Sequence, residues 1–185
     1  MPFEGVINYP VIQLGVSQIY LNEKKVKAIE QWFSLDDMDV FEPLPVHDYG
    51  NGKYTLTDGH SRAYVAYKNG ITEVPIIYDA DEMVAGELGQ ILYRTDIEWC
   101  KRFSISDISH LGQRILSDDD YQRLWIERCN RSYHLLVRTT KEERELLQSE
   151  KPELFLFGAS EDLSDIYFEN ENGEIIVCSN EISAI

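Results

Sequence analysis

The stretch Tyr54–Gly70, YTLTDGHSRAYVAYKNG, changes its period in the middle. Tyr54 and Leu56 alternate with polar neighbours as on a strand. Ala63, Val65, Ala66 and Tyr67 then crowd together as on a short helix, which Gly70 can close in a left-handed position just past its end. The change falls on Asp58, Gly59, His60, Ser61 and Arg62. A helix that opens after Gly59 aims unpaired backbone N–H groups at whatever sits above the turn, and its dipole favours an anion there. Gly59 lets a ligand approach the backbone, and an imidazole, a hydroxyl and a guanidinium fork suit phosphate oxygens. The same residues also read as local structure, with Asp58 capping the helix, His60 bonded nearby and Arg62 in a surface ion pair. Both readings stand on these residues alone.

Upstream, VINYPVIQLGV is strand-like, and Val26, Ile29 and Phe33 recur at helical spacing behind Asn22, a suitable N-cap, so a helix is expected over Glu23 to Phe33. The cluster Lys24, Lys25 and Lys27 reads most simply as the solvated face of that helix, with screening of an approaching nucleotide as its other reading. Leu44 to His47 forms a short strand, and Asn51-Gly52 predicts a type I′ turn back into Tyr54 and Leu56. Downstream, ITEVPIIYD is apolar and β-branched, giving the order β-α-β-β-α-β over residues 1–80.

From residue 81 the character shifts. Residues 81–103 read as mainly helical, with Leu88, Ile91, Leu92, Trp99 and Cys100 as buried candidates and Gly86 and Gly89 weakening the pattern. Ser117 before three aspartates could be an acidic metal site, but Ser-x-x-Asp ahead of Tyr121, Leu124 and Trp125 is favoured as a helix cap with negative charge at the positive helix end. YHLLVRT, the capped helix TKEERELLQ, ELFLFGA and an Asn172-Gly173 hairpin predict β-α-β-β near the C-terminus. The expected class is therefore α+β, with residues 1–80 as one domain and 81–185 as a helical and β-α-β-β extension.

The 185 residues contain 43% hydrophobic side chains, enough for a sizeable core, and carry a net charge of −16. That charge repels phosphate backbones and anionic lipid, so neither nucleic acid nor membrane is an expected partner. Cys100, Cys129 and Cys178 are far apart and odd in number, which suggests reduced thiols in a cytoplasm rather than a disulfide framework or a zinc knuckle. There is no run of 18 apolar residues and no basic-then-apolar leader pattern. His47, His110 and His134 lack ligand spacing, so no metal site of protein ligands is expected.

Over roughly residues 5 to 80, VIQLGVSQIYLNEKKVKAIEQWF followed by EPLPVHDYGNGKYTLTDGHSRAYVAYKNGITEVPIIYD resembles the ParB/sulfiredoxin-like superfamily. There a strand ends in a short polar motif that opens a helix and binds nucleotide phosphates, and the next strand carries a pair like Val74-Pro75. Sulfiredoxins place a nucleophilic cysteine after the glycine, where this chain has His60. Partition proteins carry Gly-Glu-Arg-Arg, bind CTP and add a basic DNA reader, whereas the remainder of this chain is acidic. The free serine kinases carry Asp-Gly-His-His-Arg; Asp58, Gly59, His60 and Arg62 match, and Ser61 replaces the second histidine.

The resemblance implies an ATP- or ADP-dependent, Mg-assisted phosphotransferase acting on a small hydroxylated metabolite such as serine. By position Glu23 corresponds to the catalytic base, with a plain first-turn helix residue as its other reading. Asp58 would orient the acceptor or a metal-bound water, and Gly59, His60, Ser61 and Arg62 would hold phosphate. The alternative is a non-catalytic nucleotide-binding regulatory module whose residues 81–185 contact a protein partner.

Overall fold

The computed structural model describes residues 2–33 and 40–180. Its first sheet has the strand order β1-β5-β3-β4, with β1 at Val6–Pro10, β3 at Leu44–Asp48, β4 at Tyr54–Leu56 and β5 at Glu73–Tyr78. β1 runs antiparallel to β5, β5 parallel to β3, and β3 antiparallel to β4. Register puts Leu44, Val46, Leu56, Val74 and Ile76 on one face, and all five are fully buried. Ala63, Val65 and Ala66 of helix α2 (His60–Lys68) are equally buried. Beyond β1 the chain crosses to the far side of the sheet. There Gly15 donates to Tyr54 O at 2.8 Å and accepts from Leu56 N at 3.0 Å. A Cβ at residue 15 would lie 2.5 Å from Thr55 Oγ1, so this approach needs glycine.

Helix α1 (Glu23–Trp32) follows the two-residue strand β2 (Leu21–Asn22). The Asn22 side chain accepts from the N–H groups of Lys24 and Lys25, as its N-cap position requires. Helix α2 ends in a Schellman motif: Gly70, at φ +81°, donates to Tyr67 O, and Ile71 donates to Ala66 O. The hairpin between β3 and β4 forms, but not through a type I′ turn. Gly50 and Gly52 take positive φ while Asn51 does not, and the Asp48 and Asn51 side chains accept from Gly50 N and Lys53 N.

The segment after residue 81 is helical, as expected, in two pieces: α3 (Glu82–Ala85) and α4 (Glu87–Arg102). Trp99 and Cys100 are buried, but Ile91 is exposed, and Val84 and Ile97 fill the interior beside Tyr49. The glycines explain the break. Gly86 joins the helices, and a Cβ on Gly89 would sit 2.4 Å from Met83 O, so α4 can start only against a bare backbone. A 3-10 turn at Ile108–Gln113 leads to strand β6 (Ile115–Leu116), which pairs in parallel with β2 and returns the chain to the start of α1. Ser117 Oγ accepts from Asp120 N at the start of α5 (Asp118–Tyr121), the expected capping arrangement.

The chain divides into compact units at residues 1–121 and 122–185, so the boundary expected at residue 80 falls inside the first. The second unit opens with a π-helical turn (Gln122–Ile126) and helix α6 (Glu127–Arg138). YHLLVRT, expected as a strand, lies mostly in α6; a short apolar run does not distinguish strand from buried helix, and the buried positions 128, 132 and 135 follow a helical period. Helix α7 (Lys141–Glu150) carries the predicted cap as a full capping box between Thr140 and Glu143. Strands β7 (Phe155–Ala159), β8 (Asp165–Glu169) and β9 (Ile175–Ser179) form an antiparallel sheet over a core of Leu135, Leu147, Ala159, Ile166 and Phe168. The fold is α+β. The second unit runs α-α-β-β-β instead of β-α-β-β.

Candidate functional site

A cleft of about 310 Å³ opens at the amino end of α2. Asp58, Gly59, His60, Ser61 and Arg62 line one side of it, and Lys25, Ala28 and Ile29 of α1 line another, with Gln18 and Tyr121 completing the wall. Gly59 is the N-cap of α2 at φ +78° and supplies no capping side chain, so the first-turn N–H groups depend on partners outside the helix. A Cβ at residue 59 would lie 2.8 Å from Leu44 Cδ2 and 3.0 Å from Arg62 Nη2. The turn is therefore closed to any larger residue by its conformation and by its packing.

His60 does not present its imidazole to the cleft as a cation. Its side chain is buried, Nε2 accepts the backbone N–H of Ser17 at 3.1 Å, and burial lowers its pKa to about 4 against an opposing pull from Asp58. Ser17 Oγ in turn donates to Leu56 O at 2.7 Å, so the ring ties α2 to the crossing segment and to β4. A neutral imidazole with its free lone pair already engaged offers no charge to a phosphate. What His60 gives the cleft is its backbone N–H.

Arg62 lies mostly inside, with 17% of its side chain exposed. Nη1 donates to Glu42 O at 3.0 Å and lies 3.7 Å from the exposed Glu42 carboxylate, which positions the guanidinium beside the turn and offsets part of its charge. Ser61 is half-buried and Asp58 exposed, and neither side chain has a hydrogen-bond partner among the described residues. Glu23 stands apart from them. It does not line the cleft, half of its side chain is exposed, and it pairs with Lys27 at 2.9 Å one turn along α1.

The structure thus brings together five of the six expected site residues, Asp58 to Arg62, and leaves Glu23 outside. It adds Gln18, Lys25 and Tyr121, which the sequence did not single out. Lys25 was legible only as part of a lysine cluster; with Ala28 and Ile29 it forms an i, i+3, i+4 face of α1, while Lys27 points toward Glu23. Tyr121 reaches the cleft because β6 pairs with β2. Its hydroxyl accepts from Gln18 Nε2 at 2.9 Å, its ring lies 5.9 Å from Lys25 Nζ, and Asp118 accepts from Asn22 Nδ2 at 2.6 Å.

Neither a family model nor a curated protein matches the chain. Among solved structures, protein Atu1540 from Agrobacterium tumefaciens is similar at 12% sequence identity over 80% of this chain and 84% of that one, with a TM-score of 0.40. A likeness that distant carries no argument about function. Among the described residues no helix is long and apolar enough to cross a membrane.

Proposed function

We propose that this protein binds the phosphate groups of a nucleotide at the amino end of α2, in a first unit of ParB/sulfiredoxin-like type. The observation that carries this reading is the cleft itself. Uncapped N–H groups behind a left-handed glycine, a free Ser61 hydroxyl, the Arg62 guanidinium and Lys25 converge on one concavity of a strongly acidic protein. Each donor suits a phosphate oxygen.

A second reading, phosphoryl transfer from ATP or ADP to a small hydroxylated metabolite, is favoured by Asp58. This carboxylate lines the cleft with no hydrogen-bond partner among the described residues, which suits it to accept the proton of an attacking hydroxyl. Glu23, engaged by Lys27 away from the lining, is the weaker candidate. Magnesium typically uses one or two carboxylates and the phosphates themselves, and Asp58 fits that donor set. A bound Mg ion would supply charge neutralisation at the phosphates.

Calorimetry with ATP, ADP and CTP, with and without Mg, tests the binding reading. Arg62→Ala should weaken the preferred nucleotide by about 1.5–3 kcal/mol, the scale for hydrogen bonds to charged groups. Absence of affinity for all three in the parent protein would refute it. Where turnover is found, Asp58→Asn should reduce it by about a hundredfold and Glu23→Gln should leave it nearly intact. The opposite pattern would return the base to Glu23.

A further inference from the structure

Lys25 is the one member of the Lys24, Lys25 and Lys27 cluster that lines the cleft, and the sequence does not set it apart from the other two. Of its neighbours on α1, Lys27 is paired with Glu23, whereas Lys25 has no carboxylate partner among the described residues and lies near the ring of Tyr121. In a chain with 33 acidic and 17 basic residues, a lysine lining a concavity without a carboxylate partner stands out. We infer that Lys25 is a phosphate-binding residue, positioned by Tyr121, and that together with Arg62 it makes the cleft select diphosphate groups over orthophosphate. This inference rests on the phosphate-binding reading above.

Lys25 is held in place from several directions. Its backbone N–H is bonded to the Asn22 side chain, which also donates to Asp118, so the first turn of α1 is locked to the segment that carries Tyr121. Tyr121 is only 4% exposed and its hydroxyl is engaged by Gln18, so its ring is a fixed surface. An ammonium resting near that surface gains a modest cation–π attraction and stays available to an anion. The aromatic wall therefore limits where the lysine can wander without neutralising it.

Arg62 comes from the other helix, pinned by Glu42 O on Nη1 with Nη2 against Gly59. Two cations on two helices, Lys25 on α1 and Arg62 on α2, suit a ligand with two linked anionic groups. A diphosphate can engage both at once, whereas orthophosphate satisfies the helix end and one cation. Ala28 and Ile29, one turn beyond Lys25, give the same cleft an apolar patch suited to the carbon part of a nucleoside diphosphate. At about 310 Å³ the cleft is at the small end of ligand cavities, matched to a diphosphate and an adjoining sugar.

The test is calorimetry with orthophosphate, pyrophosphate and ADP on the full chain, on Lys25→Gln, Lys25→Arg and Tyr121→Leu, and on Arg62→Ala as reference. The parent should bind pyrophosphate more tightly than orthophosphate. Lys25→Gln should lose about tenfold for pyrophosphate and ADP, change little for orthophosphate, and show a weaker salt dependence of binding, because one charge contact is gone. Its thermal midpoint should stay at the parent value, since the side chain is exposed. Lys25→Arg should restore most of the preference, and Tyr121→Leu should reduce it. Unchanged pyrophosphate affinity in Lys25→Gln beside a loss in Arg62→Ala would overturn the role of Lys25 while the phosphate site stands. An equal loss for orthophosphate and pyrophosphate would overturn the diphosphate selection. If the parent bound none of the three probes, the phosphate reading and this inference would fall together.

Discussion

Acidification from about pH 7.5 to about pH 5 should remove about 2 kcal/mol of folding stability through His60 alone. The folded-state pKa is lowered to about 4 from an ordinary value of 6.5, because the ring is buried and its Nε2 already accepts the Ser17 N–H. Protonation would desolvate a charge and turn that acceptor into a second donor facing an N–H group. The sign follows from the depressed value. Above the unfolded pKa both states are neutral and stability is full. As pH falls from 6.5 toward 4 the unfolded chain takes up a proton that the folded chain refuses, so stability declines. Below the folded pKa the loss levels off near about 3 kcal/mol. Carboxylates also titrate at the acid end, so the assay is a difference: urea unfolding of the parent and of His60→Gln at a series of pH values, with NMR titration of the His60 ring in parallel. The parent should lose the extra stability in this window and the variant should not. Parallel pH profiles, or a measured His60 pKa near 6.5, would refute the account of a buried neutral ring.

Two glycine substitutions test the packing around the site and in the second unit. Gly59→Ala forces a positive φ on a residue with a Cβ and pushes that Cβ against Leu44 and Arg62, so it should cost about 1–3 kcal/mol in urea unfolding and weaken nucleotide binding with it; a neutral outcome would mean the turn is not held as described. Gly158→Ala places a Cβ 2.6 Å from Arg131 Cβ and 2.9 Å from Arg131 C, where α6 crosses β7, so an overpacking loss of about 1–3 kcal/mol is expected; an unchanged midpoint would show that α6 can withdraw freely.

Local chemistry determined much of this protein from its sequence. Asn22 as a cap, Gly70 as the end of α2, the Thr140 box and the change of period at Asp58 involve contacts within a few residues, and short-range geometry sets them almost independently of the remainder. The α+β class followed from the same signals. What failed depended on context. YHLLVRT is too short for its period to choose between strand and helix, so packing chose, and Asn51 kept a negative φ because a longer loop with two glycines already reversed the chain. The site divides along the same line. The sequence could offer a histidine beside a glycine turn, but whether its ring faces a ligand or the interior depends on Ser17, 43 residues away. Likewise Lys25 and Lys27 are indistinguishable by composition, and only the parallel pairing of β2 with β6 brings Tyr121 to one of them. Contacts between residues distant in sequence arise from the closure of the chain on itself, and no local pattern records them.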